Sequence, residues 1–97
     1  MDIDTAELRV DEEPERSRYV VHYEGQEAEL TYRRRPGLIT LLHTGVPREL
    51  EGHGIAGRLA RYALDQARVH GLAVIPSCPY VRAYIERHPE YESLVRR

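Results

Sequence analysis

Residues 51–57 read Glu-Gly-His-Gly-Ile-Ala-Gly and lie between an apolar run and a long helical pattern. The first turn of a helix leaves several backbone N–H groups unpaired and carries partial positive charge. Glycines let such donors approach a ligand closely, so this turn suits a phosphate. The same residues also suit a tight turn with no ligand, and the turn alone goes no further. A nucleotide P-loop needs Gly-Lys-Ser/Thr, and the chain has no lysine, since all 14 of its basic residues are arginine. Gly52, Gly54 and Gly57 meet the spacing of a dinucleotide fingerprint, but the preceding strand comes late in an antiparallel pattern and too little chain follows for such a domain. Cys78 is the single cysteine, which excludes an intramolecular disulfide and a paired-cysteine zinc site, and no histidine stands at motif spacing from it, so no metal is expected.

The elements that must position this turn read as two halves. Residues 1–17 are acidic and interrupted by Pro14; they read as a partly ordered leader with a short edge strand at Glu7–Val10. Tyr19–Tyr23 is β-branched and aromatic, Ala28, Leu30 and Tyr32 alternate with polar residues, and Leu38–His43 is almost continuously apolar. Turns at Glu24-Gly25-Gln26 and Arg35-Pro36-Gly37 make these three segments an antiparallel meander. Apolar residues at 55, 59, 63 and 67 then form a helical stripe, with Arg58, Arg61, Asp65 and Arg68 on the opposite, solvated face. Leu72–Pro76 reads as a buried strand, parallel to the one before the helix. Pro79 opens a last helix over Tyr80–Arg87, closed by His88-Pro89, with a short turn at Tyr91–Val95.

A chain of 97 residues fits one domain, taken as 1–97, that a cofactor or a partner would help stabilise. A net charge of −2 gives no general attraction to nucleic acid or membrane. No apolar run approaches the length of a membrane span, and the acidic start lacks the basic and apolar parts of a signal peptide. A cytoplasmic location, as a monomer or weak homodimer, is the default expectation.

The turn resembles motif A of the GCN5-related N-acetyltransferases, [Arg/Gln]-x-x-Gly-x-[Gly/Ala], with Gly54 and Ala56 in its last two positions and Glu51 departing from the first. His43-Thr44-x-Val46-Pro47, Gly52-x-Gly54-Ile55-Ala56, Pro76-x-Cys78-Pro79-Tyr80-Val81-Arg82 and His88-Pro89-Glu90-Tyr91 together resemble the minimal N-acetyltransferase-like family, whose members are stand-alone domains of about this length. The resemblance implies a truncated α/β (α+β) fold of that superfamily. It would consist of an antiparallel β-meander, then a β-α-β unit with two adjacent parallel strands, then a C-terminal helix. It implies transfer of an acetyl group from acetyl-CoA to an amine. The implied cofactor-binding residues are Thr44, Val46, Gly52, His53, Gly54, Ile55, Ala56, Gly57 and Tyr84, and the implied catalytic residues are His43 and Cys78.

The placement of those residues has its own logic. His43 ends the strand before the crossover helix, and Cys78 lies just past the strand after it. Adjacent strands lie about 5 Å apart, and open α/β sheets bind ligands at their C-terminal edge. His43, Cys78 and the helix N-terminus are therefore expected to converge on one cleft. Direct transfer would use His43 as base, with Cys78 lining the acyl site. A covalent route would have Cys78, activated by His43, carry the acetyl group. Plainer roles stay open: His43, with the strand parity of Ile39 and Leu41, suits a core histidine, and Cys78 suits a small buried residue. Tyr80 and Tyr84 suit either the acyl end or the core, and His53 either a phosphate or solvent. The superfamily's two helices between its first strands have no counterpart in the pattern, so the acceptor side is expected to be open, which favours a protein terminus, a lysine-bearing peptide or a site completed by another chain over an enclosed small metabolite. A non-catalytic CoA or acyl-CoA-binding domain is the alternative function.

Overall fold

The computed structural model describes residues 8–96. Five strands follow in order: β1 (Asp11–Glu13), β2 (Arg18–Tyr23), β3 (Gln26–Arg35), β4 (Leu38–Gly45) and β5 (Ala73–Pro76). They form one sheet in that order, antiparallel from β1 to β4 and parallel between β4 and β5. Helix α1 (Ile55–Val69) makes the crossover from β4 to β5, and helix α2 (Pro79–Arg87) follows β5. A 3₁₀ segment at Pro89–Leu94 follows α2, and Val95 after it is bridged to Val74. This is the meander plus β-α-β architecture expected from the sequence.

The tight β2–β3 connection has a local cause. Glu24 and Gly25 both adopt positive φ, at 47° and 78°, the geometry of a two-residue hairpin turn whose twist matches its strands. The register then places Tyr19, Val21, Ala28, Leu30, Tyr32, Ile39, Leu41 and Val74 on one face. These side chains form a single core with Ile55, Leu59, Ala63, Leu64 and Ala67 of α1 and Val81 and Ile85 of α2. Leu59 and Leu64 are fully buried, and burial of each contributes roughly 2 kcal/mol. Both helices thus lie on the same side of the sheet. Asp65 of α1 accepts a hydrogen bond from the Tyr91 hydroxyl at 2.7 Å, which ties the C-terminal segment to it.

The other face carries Arg18, Val20, His22, Glu27, Glu29 and Thr31 as cross-strand neighbours. Arg18 is only 6% exposed. Its guanidinium donates to Glu13 at 2.6 Å, Glu29 at 2.9 Å and Glu27 at 3.2 Å, so one cation ties β1, β2 and β3 together. The hydrogen bonds Arg18 donates to these carboxylates, that to Glu29 foremost, push the Arg18 pKa up, and the one to Glu13 holds the Glu13 carboxyl below its ordinary value.

This cluster corrects the reading of the N-terminal segment. The edge strand lies at Asp11–Glu13, one step beyond the expected Glu7–Val10. Its register is set by Glu13 on Arg18 and by a hydrogen bond from the Tyr32 hydroxyl to Glu12. Val10 is buried but outside the strand, and Glu7 lies outside the described residues. No described helix is long and apolar enough to cross a membrane.

Removing the cation leaves three partly exposed carboxylates without their shared partner, so Arg18→Ala is expected to cost about 1–2 kcal/mol of stability at pH 7 by urea unfolding. Because Glu13 titrates below its unfolded value of 4.5, its contribution is complete above that pH and is lost as pH falls through the lower folded value. The gap between wild type and Arg18→Ala should therefore narrow below about pH 4.5, and a gap that stays constant down to pH 3 would refute this account.

Candidate active site

β4 has partners of unequal length. β3 pairs with it as far as Gly45, whereas β5 reaches only the Leu41–Pro76 pair. The last link on that side is the Cys78 N–H donating to the Leu41 carbonyl at 2.9 Å. From Leu42 to Gly45 the strand therefore runs on with no β5 partner, which leaves a gap in the backbone pairing beside the start of α2.

A bulge sets which side chains meet this gap. Tyr32 pairs with Leu41 and Thr31 with His43, so Leu42 is an extra residue on β4. Beyond a bulge the alternation of side chains is reversed. Thr44, opposite Leu30, takes the core face, and its Oγ1 lies 3.4 Å from Cys78 Sγ. His43, opposite Thr31, falls on the helix-free face, where it is exposed. The parity expected from the sequence, with His43 beside Ile39 and Leu41, is corrected by that one residue. His43 and Cys78 do share the C-terminal edge of the two parallel strands, but on opposite faces of it. The hydrogen-bonding partner of Cys78 is Thr44, and the thiol is 2% exposed.

The glycine turn lies on the core side. Gly52 and Gly54 adopt φ of 84° and 77°, which only glycine reaches without strain. Gly54 is the N-cap of α1; it offers no side-chain cap, and the first turn holds no acidic residue. The amides of that turn are thus left for another acceptor. A Cβ added to Gly52 or Gly54 would meet nothing within 4 Å, so the approach to the turn is open.

Two clefts meet at this turn and share Gly54 and Gly57. The first, about 220 Å³, runs toward β4 and is lined by Val46, Leu50, Glu51, Ile55, Ala56 and Tyr80 among others. The second, about 290 Å³, runs the other way and is lined by His53, Arg58, Arg61 and Tyr84. Gly57 stands where they join, and a Cβ there would come within 3.3 Å of the Tyr80 hydroxyl. Tyr80 is thus the tyrosine on the β4 side. Tyr84 belongs to the second cleft, stacked on His88 at 4.0 Å between ring centroids, and burial raises the pKa of its hydroxyl. Of the residues expected at the cofactor, Val46, Gly52, Gly54, Ile55, Ala56 and Gly57 line the first cleft, and His53 and Tyr84 the second. Arg61 is exposed and paired with Asp65, as the helical pattern predicts for the polar face, and Arg58 and Arg61 also line the second cleft, a role for which their i,i+3 spacing beside the turn is the one sequence signal.

This architecture has relatives. The family model described as GCN5-related N-acetyl-transferase matches residues 18–94. The chain belongs to that family, and its family and fold are those of acetyltransferases. Protein NATD1 of Mus musculus and Protein NATD1 of Homo sapiens are each 32% identical to it over 92 residues, which cover 92% of this chain and 84% and 81% of theirs. The NMR solution structure of a GCN5-like N-acetyltransferase candidate from Staphylococcus aureus superposes with a TM-score of 0.72 at 27% identity, over 92% of this chain and 88% of that one.

Gly54→Ala should cost about 1–2 kcal/mol of stability, because alanine must hold the left-handed conformation at the helix start. Urea unfolding measures this; an unchanged midpoint would show that the turn relaxes without its positive φ.

Proposed function

We propose that this protein is an acetyl-CoA-dependent N-acetyltransferase acting by direct transfer to an amine that arrives from the helix-free face. The observation that carries this is the gap past Leu41, bordered by Thr44 and Cys78 on the core side and by His43 on the other. Acetyl-CoA supplies the activated acyl thioester. The amides at the start of α1 suit its pyrophosphate, and Val46 and Tyr80 wall the cleft leading to the gap. Glu51 has the wrong charge to help a phosphate, so this grip rests on backbone N–H groups.

Acyl transfer from a thioester to an amine forms the amide C–N bond and breaks the thioester C–S bond, releasing CoA as the thiol, and needs removal of an amine proton and stabilisation of charge on the carbonyl oxygen. The exposure of His43 on the helix-free face supports its role as the group that accepts this proton. Thr44 and the β4 backbone beyond Leu41 border the place where that oxygen charge develops. Cys78 is buried against Thr44, apart from His43, which disfavours its service as a covalent carrier. The exposed sheet face around His43 suits an amine on a protein or peptide chain.

The test is turnover of acetyl-CoA with a panel of amines and N-terminal peptides. His43→Ala should lower kcat/KM by about 100-fold or more with little change in acetyl-CoA affinity. Cys78→Ala should keep most activity, and acetyl-CoA alone should leave no acetyl adduct in the intact mass. An adduct on Cys78, or equal loss in both variants, would overturn direct transfer. Tight CoA binding without thiol release on any amine would favour a non-catalytic CoA-binding domain.

A further inference from the structure

The two clefts that meet at Gly54 and Gly57 differ in charge. The cleft toward β4 has Glu51 as its single charged lining residue. The other is lined by Arg58, Arg61 and His53, with no carboxylate among its lining residues. Arg58 forms no ion pair among the described residues, and Arg61 reaches only Asp65, at 3.8 Å with a side chain that is 73% exposed. On a helix these two arginines, three apart, face the same way. They stand one turn along from the amides assigned to the pyrophosphate.

The geometry points to this second cleft as the site of the ribose 3′-phosphate of CoA, with Arg58 and Arg61 as its specificity-determining residues. A phosphate beside two guanidinium groups gains charge-assisted, bidentate hydrogen bonds that a ribose hydroxyl does not. The assignment rests on the cofactor reading above and adds a direction to it. The doubly charged nucleotide end lies over the arginines, and the uncharged arm with its thioester lies in the cleft leading to β4. Lysine, absent from this chain, would supply only a point charge at these positions.

Calorimetric titration of the full chain with CoA and with 3′-dephospho-CoA tests the assignment. CoA should bind about tenfold or more tightly, an advantage that shrinks as salt rises. In Arg58→Gln/Arg61→Gln, CoA affinity should fall to that of 3′-dephospho-CoA, whose own affinity should change by less than about twofold. Both arginines have side chains in a surface cleft, so the ligand-free melting temperature of the variant should match wild type; Arg58→Gln alone, with about half the logarithmic loss, provides a second reading. Equal affinity of wild type for the two ligands, or equal weakening of both in the variant, overturns the 3′-phosphate site while leaving the cofactor reading intact. If neither ligand binds, both readings are overturned.

Discussion

The unequal partnership of β4 governs the rest of the molecule. A strand interior to a sheet satisfies its backbone on both sides, and β4 does so only as far as Leu41. Past that residue it keeps β3 on one flank and leaves the other for the gap. A longer β5 would seal this opening, and a shorter β3 would let the exposed segment fray. The extra residue at Leu42 adds the second half of the arrangement by reversing which side chains face the core. The hydroxyl of Thr44 then meets the thiol of Cys78, and the imidazole of His43 is delivered to the far side.

Glycines bring the helix to this strand. Gly54 turns the chain into α1 without a side-chain cap, and Gly57 leaves room for the Tyr80 hydroxyl from α2. Without that room the two helices would be pushed apart at the point where the clefts join. The helix start is therefore both an electrostatic feature and a packing constraint, and the same small residues serve both.

Much of this was legible from local chemistry. Alternation at Ala28, Leu30 and Tyr32, the turn at Glu24-Gly25 and the apolar stripe from Ile55 to Ala67 depend on neighbours in the chain, and they fold as they read. The bulge was hidden because Leu38–Leu42 is apolar almost throughout, so there was no period whose break would show it. The strand at Asp11–Glu13 was hidden because acidic composition reads as solvent-facing; only the buried guanidinium of Arg18, distant in sequence from its other partners Glu27 and Glu29, turns those acids into a sheet edge. Arg58 and Arg61 look like an ordinary wet helix face until α2 packs alongside and makes them a cleft wall.

The two sides of the sheet are encoded by different stretches of chain. Both clefts are built from residues between 46 and 84, whereas the ionic cluster on the open face draws its members from residues 13–29. Exchanges at Glu27 or Glu29 change the charge of the open face without altering a residue that lines either cleft. Selection can therefore retune one surface while the other is conserved, a form of modularity achieved within a single sheet and without a domain boundary.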